Sequence, residues 1–476
     1  MKNIFYKFGA AALLSSAFLF SGCDPEFEDD VQVSAGSLNL SKYVAVGNSL
    51  TAGYQDNGLY LEGQVFSYPN ILANQFSFAG GGGFAQPLFS NEQRNGSGYL
   101  RLSGFTATGS PILQPVTTNL ATESATSAFF KDEFTGEVQN LGIPGIRLAD
   151  IKTPGYGSAQ GNPYFERITP DANQLQTYLQ RVAASNPTFF SSWLGNNDVL
   201  GYATAGGFAG ALTPVETFTN LYTELINTLT ANGAEGIVAT IPDVRAVPFF
   251  TTVGPTAKPL LAAAVAAANA QGLPITGVTA LSKNTATRIT ITPASIKDAS
   301  GGSILLTLTS SAYLPLIGQP TGRYWRELAA SQNPTNPTAQ LQGYLANFQI
   351  DTTKAFGLDP RNPIPSAFVL DDTEQNEINA ATAAFNDIIK AQANAKGLAI
   401  FDAYQYFNSI QAGFTQNGVA YSPAFITGNL FSLDGVHPTQ RGYAIIANEM
   451  IKAINAKYGS TIPTIDVTQF RAVLFP

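Results

Sequence analysis

Lys42-Tyr43-Val44-Ala45-Val46-Gly47-Asn48-Ser49-Leu50-Thr51-Ala52-Gly53-Tyr54 decides the fold. Residues 42–47 read as a short buried strand ending at a glycine, and the serine loop follows at once. Three further runs have the same character: 188–194 leading into Gly195, 236–241 leading into Pro242, and 398–402. All are short, apolar and bounded by turn residues, as strands of a parallel sheet covered on both faces must be. Helical spacing predicts helices over 172–185, 215–231, 372–395 and 439–457. In the last of these Tyr443, Ile446, Ala447, Met450 and Ile451 fall on one face. Strands alternating with helices imply an α/β three-layer fold.

Two stretches break the rhythm. Residues 76–137 are rich in Gly, Ser, Thr and Phe and include Gly80-Gly81-Gly82-Gly83. No Gly-Lys-Ser/Thr follows these glycines, which disfavours a phosphate cradle, and the stretch reads as a long mobile loop or cleft wall. Residues 247–347 hold a helix candidate at 259–270 and two alternating segments, 288–292 and 304–309, separated by Gly301-Gly302. That pattern predicts a hairpin with a long connection, carried as a cap. The chain of 476 residues is long enough for about three domains at roughly 150 residues each. Motifs near both ends argue instead for one domain at 41–476, interrupted by insertions at about 76–137 and 247–347.

The N-terminus has Lys2 and Lys7, an apolar stretch from Phe8 to Phe20, then Ser21-Gly22-Cys23. This is a secretory signal peptide over residues 1–22, too short in its apolar part for a spanning helix. Small residues before a cysteine resemble the lipobox of bacterial lipoproteins, which makes Cys23 the acylated N-terminus. It is the only cysteine, so no disulfide forms within the chain. Residues 23–40 read as an acidic tether, with Asp24-Pro25-Glu26-Phe27-Glu28-Asp29-Asp30 too polar to order itself. Acidic residues directly after the lipidated cysteine resemble the surface-export signal of Bacteroidota lipoproteins, implying an outer-membrane anchor.

Net charge −8 with a pI near 4.8 offers no basic field for phosphates, so nucleic acid is not an expected partner. One His and one Cys nearly exclude zinc or iron sites of the usual ligand types, and no metal or cofactor is expected.

Four short motifs remain: Gly47-Asn48-Ser49-Leu50, Asn140-Leu141-Gly142-Ile143-Pro144-Gly145, Gly195-Asn196-Asn197-Asp198, and Asp434-Gly435-Val436-His437-Pro438. Singly each is an ordinary loop or turn signature. In this order they resemble the SGNH (GDSL-type) hydrolase family, whose fold is a flavodoxin-like α/β/α sandwich. The resemblance covers the core of the chain and neither insertion. It implies a serine ester hydrolase with Ser49 as nucleophile, His437 as base and Asp434 as its partner. Ser49 N–H, Gly145 N–H and the Asn197 side-chain amide would form the oxyanion hole, with Gly142 the alternative glycine. The family usually has Asp where this chain has Asn48.

The chemistry requires those residue types. A serine hydroxyl is a poor nucleophile at neutral pH and needs an imidazole to take its proton; the imidazole needs a carboxylate to fix its tautomer and stabilise its cation. Asp434 and His437, three apart in a glycine-containing turn, can meet in one loop. The imidazole lies near a positive helix end, which opposes its cation, while Asp434 favours it. Trp193, Tyr54 and Phe431 flank the motifs and read either as acyl-pocket walls or as core. Two other readings stay open: a carbohydrate O-deacetylase of the same family, and a non-catalytic surface binding lipoprotein in which Asn48 marks a decayed enzyme.

Overall fold

The computed structural model describes residues 32–107, 109–124 and 126–476. The expected signal peptide, Cys23 and the acidic run 24–30 therefore lie outside the described residues. Residues 34–40, read from sequence as the end of the tether, are instead bound to the domain. Ser34 N–H donates to Thr461 Oγ1 at 2.9 Å and Ser37 N–H to the Tyr458 carbonyl at 3.2 Å. Leu38 and Leu40 are buried beside Tyr458 and Ile462, supplying the apolar surface that the acidic run lacks.

Five parallel strands form the central sheet: β1 (Tyr43–Gly47), β2 (Asn140–Gly142), β3 (Phe189–Trp193), β4 (Glu235–Ala239) and β5 (Ala399–Phe401). Across the sheet they stand in the order β5-β4-β3-β1-β2. This is the flavodoxin-like order, and its crossing point lies between β1 and β3. The four sequence-predicted strands are all present. β2 was not predicted as a strand, because three residues ending in glycine carry no periodicity.

Both faces of the sheet are covered, which explains the unbroken apolar runs. Val44 and Val46 face α3 (Tyr178–Ser185), α5 (Val215–Leu229) and α6 (Asp372–Lys396), where Phe218, Phe385 and Ile389 pack. Tyr43 and Ala45 face α2 (Tyr68–Phe78) and α7 (Gln440–Tyr458), against Phe76, Ile446 and Met450. Two short helices sit at strand ends, α1 (Ser49–Ala52) after β1 and α4 (Asn197–Thr204) after β3. The helix expected over 172–185 forms only from Tyr178, where Thr177 and Gln180 make a capping box.

The insertions differ from expectation in two ways. The first is not structureless: 99–105 and 111–116 pair as an antiparallel hairpin with a bulge between Leu102 and Gly104. Apart from Leu102 its residues are half-buried or exposed, so a buried face is hard to see in the sequence. In the second, the predicted pairing of 288–292 with 304–309 does not occur. Residues 288–291 pair with 278–281 across a short connection, and 305–306 pair with 369–370. Closing the short loop is entropically cheaper than bridging residues 293–303, and Gly301 turns back locally onto Asp298. The cap thus reaches Leu370, past the expected boundary at 347, around its own core of Val278, Ala280, Ile291, Ile296 and Phe368. Among the described residues no helix is long and apolar enough to cross a membrane.

Candidate active site

The tight passage from β1 into α1 positions Ser49. A Cβ at Gly47 would lie 1.9 Å from Thr51 Oγ1 and 2.9 Å from the Trp193 carbonyl, so only glycine fits where the strand gives way to the helix. Asn48 is the N-cap, its Oδ1 accepting from Leu50 N–H at 3.0 Å. The cap requires only an oxygen, so Asn serves it as Asp would. The Asn48 Nδ2 is buried and has no hydrogen-bond partner among the described residues. As first residue of α1, Ser49 presents an N–H that has no intrahelical acceptor.

At the far end of the chain Gly435, at φ +72°, turns the backbone so that Asp434 and His437 face one another. His437 Nδ1 lies 2.9 Å from Asp434 Oδ2, and His437 Nε2 lies 2.8 Å from Ser49 Oγ, across 388 residues of sequence. The two side chains of the turn are only 14% and 9% exposed. Asp434 Oδ1 also accepts from the N–H groups of Val436 and His437, each at 2.8 Å. Burial alone would raise the Asp434 carboxyl, but the imidazole and these hydrogen bonds outweigh it and hold the group below the usual carboxylate range.

A further donor to Asp434 was not anticipated from sequence. Asn57 N–H reaches Oδ2 at 2.9 Å. Asp56 and Asn57, at φ +53° and +62°, form the centre of a tight turn closed by mutual bonds between Gln55 and Gly58. This turn grips the histidine loop at two more points, where Asp56 N–H donates to Ser432 Oγ and Leu433 N–H donates to Asp56 Oδ1, and Tyr60 Oη steadies the same carboxylate by donating to Asp56 Oδ2. Arg471 in turn donates to Tyr60 Oη and ion-pairs with Glu62. Asp-Asn-Gly is a visible turn signature, but nothing local says that it meets residue 434.

The two glycines of the second motif separate by role. Gly142 N–H donates to Asn140 Oδ1 at 3.0 Å, and a Cβ there would lie 2.3 Å from Ala52 N, so this residue serves packing. Gly145, at φ +84°, is exposed, and its N–H has no acceptor among the described residues. Asn197 Nδ2 donates to the Ile146 carbonyl at 2.9 Å, which orients the amide and leaves its second hydrogen free. Asp198, fully buried, joins the two motifs: its carboxylate accepts from Leu148 N–H, Ala149 N–H and Thr213 Oγ1. It too was not singled out from sequence. Burial pushes its carboxyl up to about 6, against the pull of those hydrogen bonds.

Of the flanking aromatics, Tyr54 lies on the imidazole, ring centres 4.7 Å apart, and its backbone carbonyl accepts from Tyr443 Oη. Trp193 is fully buried and donates Nε1–H to the Thr240 carbonyl. Trp193 and Phe431 also line an apolar slot with Leu50, Val247, Phe407 and Val436, against the segments that carry Ser49 and His437. Among the described residues no group of three or more His, Cys, Asp or Glu side chains is placed to hold a metal ion. Chemically the line Asp434–His437–Ser49 can withdraw a proton from the hydroxyl while the nearby N–H groups face developing negative charge.

A family profile described as GDSL-like Lipase/Acylhydrolase matches residues 43–296 and 317–450, so its one gap falls inside the cap. No curated protein sequence matches the chain significantly. Among solved structures, LAE5, an alpha/beta hydrolase enzyme from the metagenome of Lake Arreo, Spain, is 12% identical. That match covers 88% of this chain and 96% of the other at a TM-score of 0.35.

Proposed function

This chain belongs to the GDSL-like lipase/acylhydrolase family and is a serine hydrolase acting on esters; from that premise we propose that Ser49, His437 and Asp434 carry the reaction through an acyl-enzyme. His437 Nε2 takes the proton of Ser49 Oγ as the oxygen attacks the ester carbonyl carbon. The tetrahedral intermediate collapses by breaking the carbon–oxygen bond to the alcohol, which leaves with the proton now on His437. Water, deprotonated by the same imidazole, then attacks the acyl carbon and releases the carboxylic acid and Ser49. Asp434 stays ionised throughout, holding the ring by Nδ1.

Ser49 N–H, Gly145 N–H and Asn197 Nδ2 stabilise the oxyanion, each such donor contributing about 10²- to 10³-fold in rate. The continuous line of hydrogen bonds from Asp434 through His437 to Ser49 carries this reading. It also weighs against a decayed binding protein, because Asn48 keeps the cap that presents Ser49. The lipobox-like approach to Cys23 supports acylation there and a place in the cell envelope.

A fluorophosphonate probe tests the assignment. Wild-type protein is expected to be labelled and to hydrolyse p-nitrophenyl esters, and Ser49→Ala to lose both while melting at the wild-type temperature. Labelling that persists in Ser49→Ala would place the nucleophile elsewhere.

A further inference from the structure

The chain enters the domain at the end opposite the catalytic site. All five strands are parallel, so their C-terminal ends lie along one edge, where Ser49 follows β1 and Asn197 follows β3. The opposite edge is marked by Tyr458, whose hydroxyl donates to the Gly236 carbonyl and accepts from Gly236 N–H and Ala399 N–H, at the starts of β4 and β5. To this same corner the incoming chain is fastened. Ser37 N–H donates to the Tyr458 carbonyl, and Ser34 exchanges hydrogen bonds with Thr461. A Cβ at Gly36 would lie 2.4 Å from that carbonyl, so the approach is close.

Helix α7 measures the separation. Its N-cap, Thr439, stands two residues after His437, and its last residue is Tyr458. Its 19 residues, at 1.5 Å each, are about 28 Å long. Loops extend the molecule beyond both ends of this helix. Ten residues lie between Cys23 and Ser34, and the eleven steps from one to the other span at most about 40 Å at full extension. To press the catalytic edge onto the membrane that holds Cys23, this segment would have to run up the flank of the domain and spend most of that reach, the helix alone taking about 28 Å of it.

From this geometry we infer that the anchored protein presents Ser49 away from its own membrane. Its substrates are therefore esters that arrive from solution or from a facing surface, such as soluble or polysaccharide-borne acyl esters, and not the lipids of the anchoring leaflet. The inference rests on acylation of Cys23 as proposed above.

The test uses the full-length acylated protein in vesicles containing an acceptor-labelled lipid. Donor dyes are placed at Thr251→Cys, close to the Phe249–Gly435 contact beside the site, or at Lys457→Cys, at the tether corner; both positions are exposed. Energy transfer is expected to be strong from 457 and weak from 251. In the same vesicles a fluorogenic ester linked to a lipid headgroup should be cleaved slowly. Inserting about 30 Gly/Ser residues after Asp30 takes the maximal reach past about 100 Å and should raise that rate several-fold, with hydrolysis of a water-soluble ester unchanged. Equal transfer from both positions, or rapid cleavage of the lipid-linked ester without the insertion, would overturn the orientation alone. Absence of fatty acid on Cys23 would remove the anchor and this inference with it. Failure of the soluble Cys23→Ala form to cleave either ester would strike the hydrolase assignment instead.

Discussion

Asn57 shows how one backbone N–H can complete a site that its side chain never touches. Its bond to Asp434 Oδ2 depends on a left-handed backbone that a β-branched residue resists by about 1–2 kcal/mol. Asn57→Val is expected to pull the turn away from Asp434 and lower kcat about 10-fold, the low end of the roughly 1.5–3 kcal/mol carried by a hydrogen bond to a charged group. Asn57→Gly keeps both the conformation and the N–H and should recover most of that loss. Steady-state kinetics on the two variants, with melting curves to show that both are folded, check the assignment. Equal kcat in the two would mean that the turn does not position the carboxylate.

Among the elements, α4 and the loop after β2 depend on each other through Asp198. Replacing it by Asn puts an amide donor where only acceptors serve, so at least one of Leu148 N–H, Ala149 N–H and Thr213 Oγ1 loses its partner. The cost is about 1–3 kcal/mol. Asp198→Asn should therefore melt lower and turn over more slowly, because Gly145 and Asn197 hang on the two halves it joins.

The pH dependence of that difference has a definite sign. The folded carboxyl is raised to about 6 while the unfolded one titrates near about 3.9, so between those values the folded state binds more protons. Stability from this group is therefore greatest at the acid end and falls as pH rises to about 6. The gap in melting temperature between wild type and Asp198→Asn should narrow over that window and then level off. Asp434, held below the usual range, loses its stabilising contribution only at more acid pH, outside that window. A gap that is constant or widens from about pH 4 to 6 would show that burial does not dominate at Asp198.

Across the whole molecule, the cap and the hydrolase core meet at the turn that carries Asp434 and His437. Phe249 N–H donates to the Gly435 carbonyl at 2.9 Å, and a Cβ at Gly435 would stand 3.0 Å from Phe249 N and 3.4 Å from Leu308 Cδ2. Gly435→Ala thus meets a left-handed backbone and a crowded wall together. It is expected to lower kcat by about 10-fold or more while leaving the protein folded, since the loss corresponds to about 1–2 kcal/mol of strain relieved by moving His437. Unchanged kinetics would show that the cap does not constrain the turn. The hairpin of the first insertion braces the other side, where Leu102 packs with Leu433 and Val473.

The local parts were readable from residue order alone: buried parallel strands, the glycine turn joining Asp434 to His437, and the order of the four motifs. These are legible because each depends on a few neighbouring residues whose sterics and polarity allow one conformation. Long-range packing is what brings Asn57 to Asp434 across 377 residues, leaves the Gly145 N–H without an acceptor among the described residues while Gly142 N–H is bonded, and pairs 288–291 backward. It also decided that the chain enters beneath the sheet, opposite Ser49. Each of those outcomes is a choice among distant partners of similar local propensity, and it is settled by which arrangement closes the cheaper loop and buries the larger apolar surface.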